Sequence, residues 1–240
     1  MRKTAIFVEG QTELIFVREY LLRYFNWQVD ILCRKLLSDG KMESAEFDYL
    51  LPNAERHYQI INVGGDTIVL RRLLQREKAL LKTGYDKIIG LRDMFTEIYV
   101  QLSKSIDPKV TQHIIDTFDK TIKAKADSPD KISFHFAIME TEAWLLGLPE
   151  VLNKVNKKLD AKLMLKTIGF DIKKDDPETA FFQPSKSLGQ LFGAVGESYK
   201  KKKRDIERIM GHCTKTDIEE LLNKPVCQQF NHFHNAVTHN

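Results

Sequence analysis

Four acidic residues stand where a hard metal ion would find oxygen ligands. Glu9 closes the apolar run TAIFV (4–8), Asp93 follows KIIGL (87–91) by way of Arg92, and Glu140 and Glu142 follow KISFHFAIM (131–139). Each run has the length and residue types of a buried strand. In open α/β sheets, ligands sit outside the carboxyl ends of the strands, so acids from distant segments are expected to meet there. Magnesium typically takes one or two carboxylates together with waters and substrate phosphates. Two ions so held can activate a water and stabilise the leaving oxygen of a phosphodiester. Taken singly, an acid after a strand also serves as a helix cap or a solvated loop residue. The combination carries the argument.

The elements that must position these acids read as follows. Thr4 to Val8 is a strand, Glu9-Gly10 a turn, and Leu14, Ile15, Val17, Tyr20, Leu21, Leu22 and Phe25 give the spacing of a buried helix face, with Thr12 as candidate N-cap. Trp27 to Cys33 reads as a second strand, followed by the polar loop SDGKMES (38–44). His57 to Val63 is a third, ended by Gly64-Gly65-Asp66, a turn that lacks the spacing and Lys-Ser/Thr of a P-loop. Helices are expected from Thr67 to about Leu81 and from Asp107-Pro108 to about Ala126. Strands alternating with helices predict an α/β fold with a mostly parallel sheet flanked by helices. From Pro149 onward helical patterns dominate, broken by DDPE (175–178), QPSKS (183–187) and NKP (223–225). Residues 1–148 are therefore expected to form the α/β domain and 149–240 a helical C-terminal cap packed on it.

The wording of the motifs adds to this. The stretch IFVEGQTELIFVREYLL (6–22) resembles the first motif of the TOPRIM fold, a strand ending in Glu-Gly with a second acid one helical turn on, here Glu9 and Glu13. KIIGLRDMF (87–95) is similar to the second motif and supplies Asp93, but Phe95 stands where that motif has its second Asp. FHFAIMETEAWLL (134–146) resembles the later acidic strand end of OLD-family nucleases, and PSKSL (184–188) the Pro-Ser-Lys element of the related small TOPRIM-like phage-defence proteins. The resemblance implies a TOPRIM-like sheet and a Mg2+ or Mn2+ site built from Glu9, Glu13, Asp93, Glu140 and Glu142. It further implies Glu9 as ligand or general base, and Lys186 as stabiliser of the charge developing on phosphate. The implied activity is a metal-dependent endonuclease acting on nucleic acid, DNA or RNA, as an effector in anti-phage defence. The implied partner is an ABC-type ATPase, since the chain carries no nucleotide-hydrolysis motif of its own; a homo-oligomer is a further expectation. Phe95 supports an alternative, a catalytically impaired TOPRIM-like module that serves such an ATPase as sensor or scaffold.

Bulk properties constrain less. A net charge of +4 over 240 residues permits contact with a phosphate backbone without demanding it. The run KKKKR (200–204) reads either as a phosphate contact or as a solvated basic helix face, because Asp205 and Glu207 follow it in a helical pattern. Arg92 reads first as a structural ion-pair partner and second as a phosphate contact. Cys213, Cys227, His212, His232 and His234 follow none of the closed zinc spacings. No apolar run reaches the length of a membrane span and the start lacks a signal peptide's pattern, so a cytoplasmic protein with no membrane partner is expected.

Overall fold

Residues Ala5 to Val8 alternate between two apolar environments. Ala5 and Phe7 belong to one buried cluster, Ile6 and Val8 to another, and all four are fully buried. That alternation marks a strand covered on both faces. The computed structural model describes residues 1–239, apart from the side chain of Asp66. Its sheet comprises β1 (Arg2–Val8), β2 (Asp30–Leu36), β3 (Met42–Ser44), β4 (Arg56–Asn62), β5 (Lys87–Asp93) and β6 (Ile132–Ala137), in the spatial order β3-β2-β4-β1-β5-β6. Every pairing is parallel except β2 with β3. The fold is thus α/β with a mostly parallel sheet between helical layers.

One face carries α2 (Val69–Lys82), α3 (Glu97–Leu102) and α4 (Pro108–Lys125), whose apolar residues pack with Phe7, Ile61, Ile88 and Phe136. The other carries α1 (Gln11–Tyr24) and the helices that follow β6. These are α5 (Glu142–Leu146), α6 (Pro149–Val155), α7 (Ala161–Ile168), α8 (Pro177–Ala180), α9 (Pro184–Gly193), α10 (Lys203–Gly211), α11 (Lys215–Leu222) and α12 (Gln228–Thr238). A single apolar cluster runs through this second face, from Ile6 to Val237. No helix among the described residues is long and apolar enough to cross a membrane.

Several boundaries differ from the sequence expectation, each for a local reason. Gly10, not Thr12, occupies the N-cap of α1, which leaves Thr12 inside the first turn. Strand β2 begins at Asp30 because Asn26 and Trp27 both sit at positive φ, 47° and 63°, turning the chain after α1 before it can extend. The polar loop conceals β3, which pairs with the edge of β2. Helix α3 is short and was masked by its polar flanks; the Thr96 hydroxyl caps it by accepting from the Tyr99 N–H at 3.2 Å. Gly64, at φ 74°, makes the turn after β4, and the side chain of Asp66 lies outside the described residues.

One close approach brings the last two strands together at the right height. A Cβ on Gly90 of β5 would lie 2.3 Å from the ring of Phe134 on β6, so only glycine lets that ring lie across the strand. The same pairing aligns Asp93 with Ala137, the last residues of β5 and β6.

The C-terminal helices are tied back to the sheet by buried polar contacts. The Tyr58 hydroxyl donates to the Val237 carbonyl at 2.7 Å, and Lys87 Nζ donates to the carbonyls of Ala236 and His239. Tyr20 Oη and His234 Nδ1 lie 2.6 Å apart. The buried Glu178 carboxylate accepts from Trp144 Nε1 at 2.7 Å and from the N–H groups of Gln229 and Phe230 at the start of α12. An acid at that position offsets the positive end of the helix while fastening α8 to α5 and α12.

Candidate metal centre

β1 lies between β4 and β5, at the point where the chain, having built strands to one side of β1, crosses to the other. A crevice beyond the carboxyl ends of the strands is the expected ligand site at such a switch point. Asp93 ends β5 there. After β6 the chain turns sharply: Glu140 N–H bonds the Ile138 carbonyl two residues back, across Met139 at φ 61°. A buried, non-glycine residue in the left-handed region is costly, and the surrounding bonds over-determine it. Phe95 N–H donates to the Met139 carbonyl at 2.8 Å and Thr141 N–H to Asp93 Oδ1 at 3.0 Å. The turn therefore throws Glu140 and Glu142 back over the end of β5.

The result is a buried trio. Carboxylate oxygens of Asp93, Glu140 and Glu142 lie within 4.8 Å of one another. At their focus sits the ammonium of Lys201, 3.0 Å from Asp93 Oδ2, 3.1 Å from Glu140 Oε1 and 3.2 Å from Glu142 Oε2. The other carboxylate oxygens are held from behind. Glu140 Oε2 accepts from the Ser185 N–H at 2.8 Å and Glu142 Oε1 from the Tyr199 hydroxyl at 2.6 Å, while the Ser185 hydroxyl donates at 2.9 Å to Glu140 Oε1, the oxygen that also meets the ammonium. Glu142 Oε2 is buried and has no hydrogen-bond donor, only the ammonium at ion-pair distance. Lys201 itself stands at φ 51°, and its neighbours Lys200 and Lys202 both donate backbone N–H groups to Asp205 Oδ2. The loop is pinned at Asp205, and its left-handed residue faces the acids.

The charges in this cleft shift one another. Burial, with Asp93 and Glu9 adding to it against the pull of Lys201, pushes Glu13 up to about 8. Burial raises Glu142 to about 7, opposed by Lys201 and the Tyr199 bond and reinforced by Asp93 and Glu140. Burial also raises Asp93, with Lys201 acting the other way. For Lys201, burial works to lower its value, but Asp93, Glu142, Glu140 and Glu13 together carry it well above that of an ordinary lysine. Raised carboxyl values at Glu13, Asp93 and Glu142 around one shared cation mark this cleft as a candidate functional site.

A pH dependence of stability follows. Glu13 and Glu142 have folded values above their unfolded 4.5, so their contribution is full below that value and fades as pH rises through about 7 and then about 8. One proton per group is worth roughly 1.4 kcal/mol per pH unit in that window, so metal-free protein is expected to lose about 2 kcal/mol or more between about pH 6.5 and 8. In Glu13→Gln the slope is shallower and the stability at about pH 8 higher. Thermal melts in chelator at several pH values check this; parallel curves for the two proteins would show that Glu13 does not titrate there.

The residues singled out from sequence fall into place unequally. Asp93, Glu140 and Glu142 meet. Glu13 is buried beside them, its carboxyl 3.0 Å from where a Cβ on Gly10 would stand, and Glu9 is near enough to raise it. Glu9 lies outside the trio that shares one focus. Lys186 is exposed and makes no hydrogen bond or ion pair with the acids; the Pro-Ser-Lys element reaches the site through Ser185 instead. Phe95 packs edge-on against Phe182 at 5.4 Å, so the position where a second Asp was sought is part of an apolar contact. Arg92 donates Nε to the Asp93 carbonyl and lies over Phe118 and Phe136.

Lys201 and Tyr199 were missed because a lysine run before a helix reads as solvated surface. The one local signal is Asp205, three residues beyond Lys202: its carboxylate accepts the Lys202 N–H, as an acid at N3 does for an N-cap residue, which makes 201 a loop residue ahead of α10.

No curated protein and no solved structure matches this chain. A family model does, over residues 8–238, which takes in every residue of the acidic cleft, and the chain belongs to that family, described as "Domain of unknown function (DUF4276)".

Proposed function

We propose that this protein is a Mg2+- or Mn2+-dependent phosphodiesterase acting on nucleic acid. The observation that carries the reading is the convergence of Asp93, Glu140 and Glu142 on one point already taken by a cation. The donor set suits the ion: oxygens only, three carboxylates within reach of one centre, and a buried Glu142 oxygen that lacks a hydrogen-bond donor. Asp93, Glu140 and Glu142 would hold it, with Glu13 buried beside them and Glu9 near Glu13. A divalent cation bound there supplies Lewis-acid activation of water and neutralises charge on a phosphate. The chain's own groups do the rest. Thr141, Ser185 and Tyr199 fix the three carboxylates in place, as outer partners of metal ligands generally do. Lys186, Lys200 and Lys202 are exposed next to Ser185 and Lys201, the right place and sign for the phosphate backbone of an incoming strand. Catalytic stabilisation of the phosphate, assigned to Lys186 by resemblance, fits Lys201 better.

The TOPRIM and OLD-family resemblance extends the proposal to an endonuclease effector of anti-phage defence in the cytoplasm, working with an ABC-type ATPase. The experiment is direct. Purified protein, with the ATPase partner where the neighbouring reading frame encodes one, is incubated with plasmid DNA or with RNA in Mg2+ or Mn2+. Nicking or cleavage that stops on chelation is expected. Cleavage unaffected by chelator would point to other chemistry. One observation favours a second reading: the apolar packing of Phe95 on Phe182 leaves no second carboxylate beyond Asp93 at that strand end. If no metal supports cleavage while the protein still binds its ATPase, the interaction module is the better account.

A further inference from the structure

We propose that Lys201 is the specificity-determining residue of the cation site, an intramolecular competitor that a divalent ion must displace. The proposal rests on the metal-site reading above. Its basis is positional: the ammonium does not flank the trio but occupies its focus, within 3.0–3.2 Å of an oxygen from each carboxylate. An ion coordinated by the same oxygens and the lysine nitrogen exclude each other.

The loop is built for side-chain exchange without backbone movement. Asp205 pins the N–H groups on both sides of residue 201, whereas the Lys201 side chain is held only by its ion pairs and is already 30% exposed. It can swing outward along its four-carbon stem. Charge then selects the entrant. Lysine brings one positive charge to three carboxylates, and a divalent ion at the same point interacts about twice as strongly with each. A tethered ammonium also acts at high effective concentration, which a free monovalent ion does not match. Na+ and K+ are therefore shut out and Mg2+ or Mn2+ admitted. The displaced ammonium is left at the mouth of the site, where a substrate phosphate arrives.

The test measures binding, not turnover. Mn2+ affinity of wild-type protein and Lys201→Met is measured by calorimetry, with circular dichroism establishing that the variant is folded. Removing the competitor is expected to tighten Mn2+ binding at least about tenfold and to let K+ compete. Because the variant removes the cation that neutralises buried acids, a second arm uses the wild-type protein alone. Reductive methylation with formaldehyde and cyanoborohydride, read by site-resolved mass spectrometry, should label Lys201 faster in Mn2+ than in K+ or chelator, with Lys200 and Lys202 unchanged. Equal Mn2+ affinity in the two proteins and unchanged Lys201 labelling would overturn the competition and leave the metal site standing. No Mn2+ binding by either protein would remove both.

Discussion

Lys201→Met, free of divalent cations at about pH 8, is expected to be less stable than the wild-type protein by about 3–5 kcal/mol. The magnitude comes from what the lysine leaves behind. Glu142 is fully buried and Asp93 and Glu140 nearly so, and among the described residues the ammonium is the one positive charge at ion-pair distance from all three. Burying a charge without a partner is far more costly than the pair itself is stabilising. Protonation of Glu142, raised to about 7 by burial, offers partial escape, so the deficit should shrink toward about pH 5. Mn2+ should restore stability, because an ion that binds only the folded state shifts the folding equilibrium by mass action. Denaturant melts of both proteins, with and without Mn2+, give all three comparisons. A variant as stable as the parent at about pH 8 would mean that Lys201 does not offset the buried acids.

Asp93→Asn is expected to reduce metal-dependent cleavage by about 10³-fold, roughly 4 kcal/mol at the transition state. Asp93 has two jobs, one for each oxygen. Oδ1 accepts the Thr141 N–H that folds the Glu140–Glu142 turn over β5, and Oδ2 faces the cation position. Asparagine keeps the first contact only by presenting its NH2 group to the second, so the variant loses one proposed ligand and one negative charge while conserving size. Folding should survive, as judged by an unchanged far-ultraviolet spectrum, and Mn2+ affinity should fall together with the rate. Retention of cleavage would place the chemistry elsewhere on the molecule.

Much of the positioning was legible because it depends on short-range patterns. Apolar runs of strand length, each followed by an acid, located Asp93, Glu140 and Glu142, and parallel connectivity put those acids at one edge. What stayed hidden depends on tertiary closure. Lys201 lies 108 residues from Asp93, and nothing between them in the sequence encodes their meeting. Ser185 and Lys186 are neighbours on α9, and only its docking decides that the serine turns inward. Helix α3 and strand β3 were too short for periodicity to register. The left-handed turn at Met139 had no glycine or asparagine to announce it; the bonds from Phe95 and Thr141 impose it.

The distance in sequence between the acids and their lysine also orders events during synthesis. A ribosome delivers Asp93, Glu140 and Glu142 well before residues 199–205, and the strands that carry the trio are all complete by Ala137. The nascent α/β portion therefore emerges with the three acids and without Lys201. Only when α10 docks on α1 does the ammonium arrive. A chain interrupted before that point carries the acids without the residue that gathers them, so the cleft closes only after the sheet is complete.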